Sequence, residues 1–94
     1  TCYFQELAAD KLKLGLELEA DRMQNLQFNA EEFAKELQVV IEERRMRIDD
    51  DPQALLNERL EALAFVRSKY RHPIIGWLDD LKQMQLAHVQ QWYQ

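Results

Sequence analysis

The sequence predicts a mostly α-helical chain of four to five helices, preceded by a short N-terminal strand. Three observations carry this expectation. Glycine and proline number two each in 94 residues, so there are few places for turns. Leu, Glu, Ala, Gln and Arg, all strong helix formers, fill the stretches between them. Within those stretches apolar residues recur at three- and four-residue spacing. A hydrophobic fraction of 47% and an aromatic fraction of 10% supply one small domain with a modest core rather than a disordered chain.

The opening TCYFQEL alternates, and Tyr3 and Phe4 favour extended backbone, so residues 2–7 are predicted to form the strand. No later segment reads as a strand to pair with it, and the chain begins without an initiator Met. Both features lead us to expect a piece of something longer. In AADKLKLGLELEADRMQNL, the leucines at 12, 14, 16 and 18 alternate. Leu12, Leu16, Ala20 and Met23 also follow a helical stripe, and their neighbours are strong helix formers, so a helix is expected despite Gly15. NLQFNAEEF breaks it. Asn29 is the predicted N-cap of the second helix, with Glu32 as its capping-box partner.

That second helix is expected to run from Ala30 to Asp49, stopped by DDDP. Asp51 suits the next N-cap and Pro52 the first helical turn. The third helix, 52–68, carries Leu56, Leu60 and Leu63 on one side. KYRHPIIG is a loop, because a residue before proline, here His72, is pushed from helical geometry. WLDDLKQM and AHVQQWYQ then form two short helical pieces. There is no internal repeat, low-complexity tract or flexible linker.

The net charge is −5 and the basic residues are interspersed with acidic ones. No basic face is left for nucleic acid or for an anionic membrane surface, so neither is an expected partner. No apolar run approaches the length of a membrane span. The single cysteine, Cys2, forms no internal disulfide framework and is neutral about compartment.

The chemistry lies in KELQVVIEERRMR, residues 35–47. With Glu36 at zero on a helical wheel, Val40 falls at about +40°, Phe33 at about +60°, Leu37 at about +100° and Val39 at about −60°. Glu43 falls at about −20°, two turns on and almost directly below Glu36, while Glu42 lies near −120° on a solvated face. Glu36 and Glu43 therefore sit inside an apolar arc, where a carboxylate is costly unless it is paired or bound to a metal. Two accounts stand open on this pattern. Arg47, one turn below Glu43, or an arginine of another helix neutralises it; or Glu43 is a metal ligand or catalytic carboxylate completed from elsewhere. His72 reads as a loop hydrogen-bonder and His88 as a solvated surface residue, and neither stands at a metal-ligand spacing. Trp77, Trp92 and Tyr93 read as core or interface aromatics.

The succession LELEADRMQNL, KELQVVIEERRMRIDDDP and YRHPIIGW resembles the pitrilysin/insulinase family of zinc metallopeptidases, over nearly the whole chain. The resemblance implies that Glu43 is the third zinc ligand and Glu36 a supporting carboxylate of the catalytic site. The family's other two ligands and its general base come from an H-x-x-E-H helix, which is absent from these residues. It further implies a helical fragment of an α+β peptidase domain, residues 1–94 being one partial domain that lacks that segment. Zinc belongs to the parent protein rather than to the fragment, and the substrates are peptides or unfolded proteins. The fragment is expected to be inactive alone and to self-associate through exposed apolar faces. Two alternatives remain: a non-catalytic helical interaction or scaffold subunit of the same family, and an unrelated helical bundle.

Overall fold

The computed structural model describes residues 2–94. Its first helix, α1 (Leu12–Gln24), is entered through a 3-10 turn at Ala9–Lys11. Helix α2 (Ala30–Arg44) starts at the predicted cap: Asn29 Oδ1 accepts from the amides of Glu31 at 2.8 Å and Glu32 at 3.2 Å. The cap is one-sided, because Glu32 joins it through its backbone and its side chain returns no bond. Beyond Arg44 the rod continues to Asp49, as expected, but as a π-helical turn, Arg45–Asp49, in which the Asp50 amide reaches back to the Arg45 carbonyl at 2.9 Å.

Helix α3 (Pro52–Ala64) begins as predicted, with Asp51 Oδ1 accepting from the Gln53 and Ala54 amides at 2.9 and 3.3 Å and Pro52 in the first turn. It ends at Ala64 rather than at residue 68. The backbone leaves helical geometry at Phe65, with φ −101° and ψ 54°, and the Ser68 hydroxyl then accepts from the Tyr70 amide at 3.2 Å and starts a 3-10 turn, Lys69–Arg71. Two short helices close the chain, α4 (Leu78–Gln83) and α5 (Leu86–Tyr93).

Residues 2–8 form no strand, since nothing in the described chain offers an edge to pair with. They run instead as an arm against α1. The Arg22 guanidinium lies 4.3 Å from the centre of the Tyr3 ring, and Gln5 Nε2 donates to Glu19 Oε1 at 2.9 Å. Arg22 also pairs with Glu19 on the same helix. Leu7 crosses α1 at Gly15, where a Cβ would stand 3.0 Å from Leu7 Cδ1.

Packing is concentrated where α2, α3, α4 and the 72–77 loop meet. Among the described residues only Leu81, Arg44 and Glu58 are buried. Gly76 turns the loop with φ +89°, its amide bonded to the Pro73 carbonyl at 2.9 Å. At the far end, Tyr93 of α5 sets its ring edge-on to Phe28, 5.3 Å between centroids, and its hydroxyl meets the C-terminal carbonyls of Arg22 and Met23 of α1.

The radius of gyration is 17.5 Å, against about 12 Å for a compact domain of this length. The accessible surface is 8553 Å², against about 5,700 Å² for a compact monomer of this mass. The predicted apolar stripes contribute to the difference. Leu12, Leu16 and Met23 on α1, and Leu56, Leu60 and Leu63 on α3, are all exposed; the N-terminal arm borders Leu12 and Leu16 without covering them. No helix among the described residues is long and apolar enough to cross a membrane.

Candidate functional site on helix α2

The two carboxylates singled out by the wheel have different surroundings. Glu43 is half-buried, with its side chain 38% exposed, and its Oε1 lies 3.0 Å from Nη1 of Arg47, which is 73% exposed. Glu36 is exposed, which corrects the expectation that the arc buries both. The reason is the missing partner: Val39, beside it on that arc, is also 58% exposed, so this part of α2 faces solvent. The Arg47 pair is the neutralising contact that the pattern allowed. As a solvated i,i+4 ion pair it is worth under about 1 kcal/mol, too little to lock Glu43 away from another partner.

Glu43 stands at the rim of a cleft of about 860 Å³ between α2, α3 and the Pro73–Ile75 segment. Val40, Ile48, Ala54, Ile74 and Ile75 supply its apolar walls. On its other side Glu43 borders a shallower hollow of about 390 Å³ with Val39 and Met46. A carboxylate in such a place can accept from a polypeptide amide or give one oxygen to a cation. Among the described residues no three His, Cys, Asp or Glu side chains are grouped to hold a metal.

The cleft is held together by a residue that the sequence reading passed over. Arg44 is 4% exposed and forms a two-pronged bond to Glu58 of α3, with Nη1 donating to Oε2 and Nη2 to Oε1, both at 2.8 Å. Nη1 also donates to the Gly76 carbonyl at 2.7 Å, and Nη2 to Asp49 Oδ1 at 3.4 Å. The bond to Glu58 raises the guanidinium pKa above its ordinary value against the opposing effect of burial, and the charges of Glu58 and Asp49 add to it. The signal was present: Arg44 falls at about +80° on the same wheel, between Phe33 and Leu37. Its Nε is buried without a partner.

The other candidates are kept apart from this cleft. His72 Nδ1 accepts from Trp77 Nε1 at 3.1 Å, the loop bond expected of it. His88 is exposed, and its Nδ1 accepts from the Gln85 amide at 3.1 Å to cap α5. Cys2 is exposed, and Trp92 is 86% exposed, so it is no core aromatic within this chain.

The family model described as Insulinase (Peptidase family M16) matches residues 1–76. The zinc protease PqqE of Helicobacter pylori is 36% identical over 93 residues, covering 99% of this chain and 21% of the relative. An uncharacterized zinc protease of Mycobacterium bovis is 32% identical over 93 residues, with the same coverage of 99% and 21%. One of Mycobacterium leprae is 32% identical over 84 residues, covering 89% of this chain and 19% of the relative. The chain thus spans about a fifth of the length of the curated relatives it matches.

Proposed function

The chain belongs to the insulinase family of peptidases, and on that premise we propose that it forms part of a zinc endopeptidase in which Glu43 supplies one metal ligand. The observation that supports this most is where Glu43 stands, half out of solvent at the rim of an apolar cleft, with an exposed arginine as its ion-pair partner. The donors present fit one coordination position, so the reading draws two more ligands and a general base from outside these residues. Zinc, when bound, polarises the scissile carbonyl and lowers the pKa of a water. Glu43 would hold that metal through one carboxylate oxygen, its exposed ion-pair partner Arg47 being free to give way to it. Glu36, two turns earlier on α2, orients neighbouring ligand groups by hydrogen bonding. The apolar walls of Val40, Ile48 and Ile74 take side chains of a peptide or an unfolded segment. The 94 residues alone are inactive and hold zinc weakly.

The test is metal content and peptide cleavage by the whole gene product, wild type beside Glu43→Gln and Glu36→Gln. Glu43→Gln should lose its zinc and its activity, and Glu36→Gln should lose about ten- to a hundredfold in either. A Glu43→Gln protein that keeps full zinc occupancy and cleavage refutes the assignment. The exposed apolar faces favour a second reading, a non-catalytic helical scaffold subunit. It predicts a wild-type protein with no bound zinc, and a coding sequence without H-x-x-E-H.

A further inference from the structure

We propose that Arg44 is a positioning residue for Glu43, its guanidinium setting the shape of the cleft and the direction of the neighbouring carboxylate. The link to Glu43's role rests on the peptidase reading above. The cleft has three walls, α2 with its π turn, α3, and the Pro73–Ile75 segment. Arg44 bonds to all three. It grows from α2 and meets Asp49 in the π turn, grips Glu58 on α3 with two prongs, and holds the Gly76 carbonyl beside Ile75.

A planar fork fixes angle as well as distance, so the pair with Glu58 sets how α2 is rotated toward α3. Neighbouring side chains on a helix stand about 100° apart. Pinning Arg44 therefore also sets the direction in which the Glu43 side chain leaves the helix. Stability alone is a poor account of the arrangement. A buried ion pair returns little net free energy, and two apolar side chains of similar volume would join the same segments as well or better. The unpartnered Nε adds a further desolvation cost. What apolar contacts lack is direction.

The test uses the whole protein carrying Arg44→Lys, the double replacement Arg44→Met with Glu58→Leu, and Asn29→Ala as a control that weakens α2 from its opposite end. Zinc affinity is measured by chelator competition at a fixed interval below each variant's melting temperature. Spin labels at Gln38→Cys and Arg59→Cys, in a background with Cys2→Ser and every other cysteine of the whole protein replaced, report the spacing of α2 and α3. Arg44→Lys and the double variant should broaden that spacing and weaken zinc binding about tenfold or more, the double variant while melting no lower than wild type. Asn29→Ala should melt lower with spacing and affinity unchanged. A double variant that keeps the narrow spacing overturns the clamp whether or not zinc binds. One that keeps zinc affinity, or an Asn29→Ala protein that loses as much as Arg44→Lys, overturns the link to Glu43. Failure of the wild type to take zinc would instead refute the peptidase reading, and the label distances would still decide the clamp.

Discussion

Replacing Gly76 with alanine should destabilise the chain by about 1–2 kcal/mol, and the reason is conformational rather than steric. A Cβ at Gly76 would meet Leu81 Cγ and Cδ2 at 3.8 Å, ordinary contact. The backbone, however, has φ +89°, where an L side chain costs about 1–2 kcal/mol. Escape to negative φ would swing the carbonyl away from Arg44 Nη1, now 2.7 Å distant. A buried donor stripped of its acceptor costs about 1–3 kcal/mol, so keeping the strained turn is no worse than leaving it. For a chain of this size each kcal/mol lowers the melting temperature by about 4–8 °C. The expected loss is thus about 4–16 °C, read by circular dichroism at matched protein concentration. Gly15→Ala supplies the contrast. Gly15 lies inside α1, where alanine gains about 0.5–1 kcal/mol, and its nearest obstacle is the tip of Leu7, an exposed and flexible side chain. That variant should raise helix content without lowering the melting temperature. Equal melting of Gly76→Ala and wild type would refute the account of the turn.

Two further outcomes follow from the exposed surfaces. The surface in excess of a compact monomer is larger than the area of about 1,200–2,000 Å² that a stable interface buries, so the isolated chain should self-associate. Light scattering should show mass rising with concentration, and Leu60→Glu should reduce it; a clean monomer at high concentration counts against this. At the other end, the bond from Arg22 holds the Glu19 carboxyl below its ordinary pKa of 4.5, with Gln5 adding to the effect. A depressed folded pKa gives stability that is present above the unfolded value and is lost as pH falls from about 4.5 through the folded value. The arm should therefore loosen only in acid, seen as loss of the Tyr3 ring-current shift on Arg22 protons; a shift that disappears at neutral pH would contradict it.

What could be read in advance was local. Asn29 and Asp51 cap their helices through bonds to amides two and three residues away, and such bonds need nothing from the rest of the chain. Pro52 and the His72–Pro73 break are equally local. The wheel judged the arc of α2 correctly as a place where charge needs a partner, yet it credited burial to Glu36, which no element covers, and overlooked Arg44, which one does. The difference is tertiary: Glu58 lies 14 residues along the chain and Gly76 lies 32. The spacing of residues on α2 contains neither. The π turn was hidden for a similar reason, since its widened geometry goes with the bond between Asp49 and Arg44 rather than with any propensity of RMRID.

The attachment of Tyr93 to the end of α1 has a kinetic side. Its hydroxyl bonds join residues 67 to 71 apart in sequence, whereas the capped helices close over four. Helices of this size form in about a microsecond, and the closure of a long loop must wait for both of its ends to be built. Docking of α5 on α1 should then be the last folding event and the first to reverse, opening well below the free energy that unfolds α2 and α3. In hydrogen exchange, the amides of α5 and of Leu26 should trade with solvent ahead of the Arg44 neighbourhood. The chain would thus come apart from the joint of its first and last helices, with the cleft beside Glu43 surviving longest.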